Sequence, residues 1–180
     1  MRIVAGSAGG VRLGPVPDGT RPLSDRAREG LFSSLGEAVP GAAVLDLFAG
    51  TGAVGIEALS RGADRAVFVD SSPAAVRAVR DNLERTKLAE RAEVVRAEAS
   101  RAVRSDLGSF DLVVLDPPYA MGGQELESLL GDLAGRAAVA AGGLVVLTRE
   151  TKSSIPVIPV DWRSYRRLSY GDAVVLVYRA

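Results

Sequence analysis

The sequence contains no cysteine and no histidine, and these two absences limit the chemistry that the chain can perform. Without cysteine there can be no disulfide, no thiolate nucleophile and no Cys-based metal site. Without histidine the chain lacks the commonest general base of enzymes and the commonest ligand of transition metals. Any catalysis must therefore use carboxylates, hydroxyls, amides, backbone groups or a bound cofactor, and no metal is expected.

Long apolar runs are also missing from the sequence. No run reaches the length of a membrane span, and the first ten residues, MRIVAGSAGG, lack the apolar core of a signal peptide. We therefore expect a cytoplasmic protein without a membrane partner. The 180 residues, 47% of them hydrophobic and 24% charged, suit one globular chain with a sizeable core.

Positive charge is concentrated near the two ends of a chain whose net charge is zero. Residues 1–30 carry five arginines against three acids, and residues 149–180 carry six basic residues against three acids. The middle, 31–148, carries eleven basic residues against sixteen acids. Basic ends around an acidic middle favour a nucleic-acid-binding face, although an ordinary mixed-charge surface remains the alternative.

Strand patterns alternate with helix patterns through most of the chain. Strands are predicted at 43–48, 65–70, 92–97, 110–116 and 144–148, with the helix before the last of these including Ala137 and stopping at Gly142-Gly143. The tail runs WRSYRRLSY and AVVLVYR, joined at Gly171-Asp172, predict an antiparallel hairpin. Together these patterns predict an α/β fold, a doubly wound Rossmann-like sheet with an antiparallel end.

The first residues have a pattern of their own. The runs RIVAG and GVRLGPV predict a small β-hairpin arm over residues 1–22, followed by the main domain over 23–180. Ser24 or Asp25 is a candidate N-cap for the first helix, which we expect to end at Pro40-Gly41.

The stretch VLDLFAGTGAVGIEAL contains a glycine pattern, Gly50-x-Gly52-x-x-Gly55, that is typical of a nucleotide-binding turn. Asp46 lies four residues before this turn, at the end of the predicted strand. Its carboxylate would repel a pyrophosphate and attract an ammonium or sulfonium group. Asp70 ends the second strand, where an acid can pair with ribose hydroxyls of NAD or of another adenosine nucleoside.

Four acids in all fall at or just past strand ends: Asp46, Asp70, Glu98 and Asp116. Ligands of open α/β sheets bind outside the carboxyl ends of the strands, so this placement indicates a binding site. For any single acid, capping of the next helix explains the position equally well.

The fourth strand ends in Asp116-Pro117-Pro118-Tyr119. The prolines remove two N–H donors and fix φ, which leaves rigid carbonyls beside the Asp116 carboxylate. Acceptors without donors suit an –NH₂ group, and Tyr119 offers a ring on which a planar base can stack. A rigid turn with a helix cap is the alternative interpretation.

The two motifs together resemble the amino-methyltransferases that use S-adenosylmethionine. The segments RIVAGSAGGVRL, GTRPLSDRAREGLFSSL, LDLFAGTGAVGIEALSRGA and VVLDPPY resemble the bacterial 16S rRNA guanine-N2 methyltransferase family (RsmD-type) over nearly the whole chain. This resemblance implies a seven-stranded methyltransferase sheet, S-adenosylmethionine as methyl donor and a specific guanine of 16S rRNA as target. The rRNA would be bound by a monomer, within the assembling small ribosomal subunit.

The resemblance also assigns roles to residues. Asp46 would lie near the ammonium group of the cofactor, with Phe48, Gly50 and Gly52 beside its methionine and ribose and Gly55 allowing close helix packing. Asp70 and Ser71 would bind the ribose, and Glu98 with Ala99 would bind the adenine edge; here Glu98 stands where the family usually has aspartate. Asp116 and the Pro117 carbonyl would hold the guanine 2-amino group, with Pro118 completing the turn and Tyr119 stacking on the base. The candidate phosphate contacts are Arg2, Arg12, Arg21, Arg26, Arg28, Arg166 and Arg167, each of which could equally be a solvated surface residue.

Other functions remain open from the sequence. An adenine-N6 DNA methyltransferase or a methyltransferase of a protein amide would share the motifs, although 180 residues leave no room for a separate DNA-recognition domain. A nucleotide-binding protein without catalysis, or an NAD dehydrogenase, would share the glycine turn. The Asp-Pro-Pro-Tyr motif argues against both of these.

Overall fold

One seven-stranded sheet organises the chain. The computed structural model describes residues 1–16, 22–105, 107–118 and 120–180. The strands of the sheet are β1 (Ala43–Leu47), β2 (Arg65–Asp70), β3 (Ala92–Arg96), β4 (Phe110–Leu115), β5 (Val139–Glu150), β6 (Arg163–Tyr170) and β7 (Ala173–Arg179). Their spatial order is β3-β2-β1-β4-β5-β7-β6. The helices are α1 (Asp25–Leu35), α2 (Ala53–Ser60), α3 (Pro73–Thr86), α4 (Ala99–Arg104) and α5 (Gly123–Gly135).

The order of the strands creates a crevice at the middle of the sheet. Strand β1 pairs in parallel with both β2 and β4. The chain therefore places β2 and β3 on one side of β1 and then returns to place β4 on the other side. Strand β7 is antiparallel to its two neighbours, β5 and β6. This confirms the predicted doubly wound sheet with an antiparallel end, and it places the crevice outside the carboxyl ends of β1 and β4.

Both faces of the sheet are covered, because successive strand residues enter different cores. In β1, Val44 belongs to the core beneath α1, α2 and α3, whereas Leu45 belongs to the core beneath α4 and α5. Both side chains are fully buried. A strand covered on two sides needs apolar residues at every position, which explains the near-continuous apolar runs of β1 and β4. In the described parts of the chain, no helix has the length and apolar character needed to cross a membrane.

The local start signal of the first helix is confirmed. The hydroxyl of Ser24 accepts a hydrogen bond from the Ala27 N–H at 3.2 Å, and Asp25 opens the helix with an acid in its first turn. The helix ends earlier than predicted, at Leu35, and a 3₁₀ turn over Gly36–Ala38 separates it from Pro40-Gly41.

The predicted end of α5 is wrong. The helix ends at Gly135, Ala137 has a φ of +51°, and Gly142 and Gly143 lie inside β5. The pairing of β4 with β5 shifts between Phe110–Val139 and Leu112–Leu144, so extra residues of β5 form a bulge there. The glycines suit that bulge, because Gly142 has a φ of +76° and a Cβ on Gly143 would lie 2.8 Å from the Ala140 carbonyl oxygen.

The N-terminal segment packs onto α2 with little strand structure of its own. Its only antiparallel bridge in the described residues joins Arg2 and Arg12. The buried carboxylate of Glu57 accepts hydrogen bonds from the Val4 N–H at 2.7 Å and the Ala5 N–H at 3.0 Å. Burial of its apolar side chains, namely Ile3, Ala8 and Leu13, joins this segment to the core.

Candidate functional site

An open cleft of about 1030 Å³ lies at the crevice outside β1 and β4. The cleft is lined by Pro22, Leu23, Asp46, Phe48, Ala49, Gly50, Thr51, Ala53, Val54, Asp70, Ser71, Asp116, Pro117 and Pro118. The structure therefore brings together the glycine turn, the ends of β1, β2 and β4, and the residues just before α1.

The glycine turn is bent by a series of residues with positive φ. Phe48 has a φ of +65°, Gly50 of +56° and Gly52 of +75°. Phe48 is the only one of these three with a side chain, and for such a residue the left-handed region is strained. The Gly52 N–H donates to the Ala49 carbonyl at 2.7 Å, which closes the turn before α2 begins at Ala53.

Gly55 allows α2 to lie directly against the sheet. A Cβ at this position would lie 2.3 Å from Cε1 of Phe68 and 3.0 Å from Oδ2 of Asp46. Neither atom belongs to a side chain with room to move, because Phe68 is fully buried and Asp46 is 2% exposed. Gly52 and Gly55 shape the turn and its packing without lining the cleft.

Asp46 is a buried carboxylate at the floor of the cleft. Its Oδ2 accepts a hydrogen bond from the Gly55 N–H at 2.9 Å, which ties β1 to the first turn of α2. Burial raises the pKa of Asp46 to about 8, against the effect of that hydrogen bond, and the charges of Asp116 and Asp70 raise it further. Asp46 is therefore protonated more readily than an ordinary carboxyl, and a cation beside it would favour its ionised form.

Asp70 positions two backbone segments around the cleft. Its Oδ2 accepts from the Gly50 N–H and its Oδ1 from the Ser72 N–H, both at 2.9 Å. Each carboxylate oxygen retains a second lone pair, so Asp70 can still accept a hydrogen bond from a ligand hydroxyl. Ser71 is exposed at the rim beside it.

Asp116 leaves the end of β4 and faces the same cleft. Burial raises its pKa to about 6. The Pro118 carbonyl accepts from the Met121 N–H at 2.9 Å, whereas the Pro117 carbonyl has no hydrogen-bond donor among the described residues. The Asp116 carboxylate and the adjacent Pro117 carbonyl are both acceptors at the end of β4, and their contact with a substrate amine stays a prediction. Tyr119 lies outside the described residues.

Thr148 is a neighbour of Asp116 that the sequence analysis missed. The pairing of Leu115 with Leu147 places Thr148 beside Asp116 on the next strand. Thr148 is 8% exposed, and within the described part of the chain its hydroxyl has no hydrogen-bond partner. The sequence signal for it is a polar residue that ends an apolar strand.

Asn82 connects the glycine turn to the N-terminal segment, and it too was missed. Its side chain is fully buried. Oδ1 accepts from the Gly14 N–H at 2.7 Å, and Nδ2 donates to the Thr51 carbonyl at 2.9 Å. One amide therefore holds the cleft-lining Thr51 and the end of the N-terminal segment together.

Glu98 and Ala99 lie outside the lining of the cleft. Glu98 is exposed at the N-terminus of α4, where its side chain makes no capping hydrogen bond, and Ala99 is buried beside it. They follow β3, which lies one strand beyond β2. Their contact with adenine stays a prediction.

The predicted phosphate contacts fall into three groups. Five of the arginines are exposed: Arg2, Arg12, Arg26, Arg166 and Arg167. Arg21 lies outside the described residues. Arg28 is fully buried, so the prediction that it contacts phosphate is wrong.

Arg28 has a structural role beside the cleft. It donates to the Leu23 carbonyl at 3.1 Å and to the Arg2 carbonyl, and it pairs with Asp25 at 2.9 Å. Because Leu23 lines the cleft, Arg28 fixes one wall of it and joins that wall to the N-terminal segment.

Comparison with known proteins finds relatives that match nearly the whole chain. Residues 1–179 match a family model described as "Conserved hypothetical protein 95". The Ribosomal RNA small subunit methyltransferase D of Escherichia coli is 34% identical over 181 residues, which cover 99% of this chain and 89% of that protein. YlbH of Bacillus subtilis, a candidate rRNA methyltransferase, is also 34% identical, over 99% of this chain and 98% of its own length.

Solved structures agree with the sequence comparison. The Escherichia coli protein yhhF, a candidate methyltransferase, superposes with a TM-score of 0.89 at 33% identity and covers 99% of this chain and 97% of its own. A more distant candidate methyltransferase, solved with SAH, shares the fold at a TM-score of 0.71 and 16% identity, over 88% of this chain and 50% of its own.

Proposed function

The chain belongs to the conserved hypothetical protein 95 family, and from this membership we propose that it is an S-adenosylmethionine-dependent methyltransferase that modifies the exocyclic N2 amino group of a guanine in 16S rRNA. The relatives named as rRNA methyltransferases support the class of reaction and substrate. The choice of the guanine 2-amino group rests on the family resemblance and on the acceptors at the end of β4.

The observation that carries the proposal is the convergence of three carboxylates on one cleft. Asp46, Asp70 and Asp116 all line it, and burial raises the pKa of Asp46 and of Asp116. A cationic ligand would lower the pKa of these carboxyl groups again, because an opposite charge favours the ionised form. S-adenosylmethionine, with an ammonium and a sulfonium group, fits these residues, whereas the pyrophosphate of NAD would be repelled.

The chain's own residues would hold the cofactor by its ends. Asp46 would pair with the ammonium group, and the free lone pairs of Asp70 would accept from the ribose hydroxyls. The bent backbone of Phe48 and Gly50 lies between them and would pass along the methionine and ribose. When bound, S-adenosylmethionine supplies an electrophilic methyl group.

Asp116 and the Pro117 carbonyl would position the acceptor nitrogen. The guanine 2-amino group is a poor nucleophile because its lone pair is delocalised into the ring. Two acceptors draw its hydrogens to one side and aim the lone pair at the methyl group, so positioning supplies most of the rate enhancement. Asp116 or water would take the proton that the nitrogen loses once it carries the methyl group that the cofactor supplies. The product of the cofactor is S-adenosylhomocysteine (SAH).

The substrate would reach the cleft as a base flipped out of its RNA helix or loop, stacked on Tyr119. We further propose that the protein acts as a monomer in the cytoplasm, on 16S rRNA within the assembling small subunit. The flipped base and the assembling subunit depend on the proposed rRNA substrate, and both proposals would be wrong if the protein does not act on rRNA.

Nucleoside analysis tests the proposal. Unmodified 16S rRNA is incubated with the protein and isotopically labelled S-adenosylmethionine, digested to nucleosides and analysed by mass spectrometry. We expect label in N2-methylguanosine. Label in N6-methyladenosine would instead support adenine methylation, and absence of labelled nucleoside with rRNA and assembling subunits alike would contradict the proposal.

A further inference from the structure

A cluster of arginines surrounds one exposed tyrosine at the far edge of the sheet. The guanidinium carbon of Arg166 lies 5.0 Å from the ring centroid of Tyr165, and that of Arg179 lies 4.5 Å from it. Arg163 pairs across the strands with Arg179. Tyr165 itself is 41% exposed. These four residues are called the Tyr165 cluster.

Among the described residues, no ion pair joins an acid to an arginine of the Tyr165 cluster. The ion pairs formed within the described residues join Arg2 and Arg28 to Asp25, Arg61 to Glu57, and Arg104 to Asp132, so none involves the cluster. The excess of positive charge also lowers the pKa of Tyr165, chiefly through the hydrogen bond and the charge of Arg166 and then through Arg179. Arginines opposite one another on neighbouring strands repel, so an anion would stabilise this cluster.

Two of the three arginines, Arg166 and Arg179, are held in place before any ligand binds. The Arg166 guanidinium donates to the Ser34 hydroxyl at 2.9 Å and also lies against the Tyr165 ring. Arg179 lies against the same ring. A braced guanidinium loses less side-chain entropy on binding than a free one, and its planar donor fork matches a phosphate.

The position of the cluster relates it to the cleft. Arg166 pairs with Val177, and the pairings continue through Val146 and Val114 to Asp46, so Arg166 and Asp46 lie in one row of the sheet. Four strand spacings separate them, or about 19 Å. A nucleic-acid strand of several nucleotides is long enough to cover that distance.

Helix α1 lies along this path. Leu23, just before the helix, lines the cleft, and Ser34, near its end, contacts Arg166. The helix also lies close against β6, because a Cβ on Gly30 would be 2.1 Å from the Tyr170 hydroxyl oxygen. The cleft and the cluster are thus fixed to the same helix, which keeps their separation constant.

We infer that the Tyr165 cluster is a phosphate-binding site for the rRNA strand that flanks the target guanine. This inference rests on the proposed rRNA substrate and adds Arg163, Tyr165 and Arg179 to the RNA-binding surface. A different use of the arginines is to prevent β6, the last strand of the sheet, from pairing with another chain. Measurements of rRNA affinity and of self-association distinguish phosphate binding from protection of the strand edge.

The test compares two double variants that remove the same charge. Arg166→Gln with Arg179→Gln changes the cluster, and Arg101→Gln with Arg136→Gln is the control, because both of its arginines are exposed near α4 and α5 on the opposite face. Affinity for a 16S rRNA transcript is measured across salt concentrations, and SAH affinity is measured in parallel.

We expect the slope of log affinity against log salt to fall by about 1.4 to 1.8 for the cluster variant, and by little for the control. SAH affinity should be equal in both. Equal salt slopes of rRNA affinity for the two variants would overturn the inference. It would also be overturned if the cluster variant bound rRNA like the unmodified protein and differed only in self-association.

Two single substitutions separate the tyrosine ring from the hydroxyl. Tyr165→Phe keeps the aromatic ring and should bind rRNA like the unmodified protein. Tyr165→Leu removes the ring against which Arg166 and Arg179 lie, and it should weaken rRNA binding. Equal affinity for both variants would contradict the bracing role. If the unmodified protein neither binds nor methylates 16S rRNA, the proposed function fails; methylation with unaffected cluster variants overturns this inference alone.

Discussion

The cleft and the Tyr165 cluster both hold like charges close together, and they do so in opposite ways. In the cleft, Asp46 and Asp116 are withdrawn from water, and burial raises the pKa of each. In the cluster, Arg166 and Arg179 are exposed, remain charged and lie against an aromatic ring.

The difference indicates two kinds of ligand. Buried acids that can hold protons remain stable without a ligand and become ionised when a cation enters. Exposed guanidiniums cannot lose their charge, so they are ready for an anion at any physiological pH. A small cationic cofactor suits the first region and a polyanion suits the second.

The largest effect should follow a change at the acceptor end of the cleft. Asp116→Ala should lower methyl transfer by about 100-fold or more, because it removes the group that aims the amine and takes its proton. SAH affinity should change little. Single-turnover rates and SAH titration measure the two. Asp111→Ala, at an exposed position near the start of the same strand, is the control. A near-normal rate for Asp116→Ala would contradict its role in positioning the amine.

A change at the cofactor end should mainly affect binding. Asp46→Asn should weaken SAH binding by about 10- to 100-fold at pH 8, because it replaces an ionic hydrogen bond worth about 1.5–3 kcal/mol. In the unmodified protein, SAH affinity should rise from pH 6 to pH 8 as Asp46 ionises more easily, and in the variant this rise should be weaker. Calorimetry at three pH values measures it. The control is Asp64→Asn, which changes an exposed acid and should bind SAH like the unmodified protein. If SAH affinity depends on pH as strongly in Asp46→Asn as in the unmodified protein, Asp46 is not the group that binds the ammonium.

The same carboxyl predicts how stability depends on pH without ligand. Burial raises the pKa of Asp46 from its ordinary value of 3.8 to about 8 in the folded protein, so the folded state binds more protons between these two values. The contribution of Asp46 to stability should therefore be complete below about pH 4 and be lost as pH rises toward 8. Thermal unfolding of the unmodified protein and of Asp46→Asn measures this. A fall of the same size in the variant would show that another group is responsible.

A smaller effect should follow a change outside the cleft. Asn82→Leu should cost about 1–3 kcal/mol of stability and weaken SAH binding several-fold, because the Thr51 carbonyl and the Gly14 N–H lose their buried partner. Thr86→Val is the control, since the Thr86 hydroxyl bonds only to carbonyls of its own helix. If both variants lose stability but neither loses SAH affinity, Asn82 does not position the turn.

The sequence predicted the regions in which local pattern decides structure. The apolar runs of β1 and β4 and the motifs that follow them specify the sheet and its crevice, and the structure brings Asp46, Asp70 and Asp116 together there. Gly55 was predicted to allow close packing, and the position of the Phe68 ring gives the physical reason.

Features that depend on distant contacts were not predictable in this way. Arg28 looks like a surface arginine in the sequence, but carbonyls of Leu23 and Arg2, far apart in the chain, enclose it. Gly142 and Gly143 resemble a helix stop, and only the register of β4 against β5 shows that they form a bulge. Neither Asn82 nor Thr148 belongs to a recognisable motif.

Calorimetry of cofactor binding tests most directly the claim that the cleft is built for a cation. SAH and NAD are titrated into the unmodified protein at pH 7, in two buffers of different ionisation enthalpy. We expect SAH to bind with release of protons, because Asp46 becomes ionised, and NAD to give no binding heat. Binding of NAD without any response to SAH would contradict the claim.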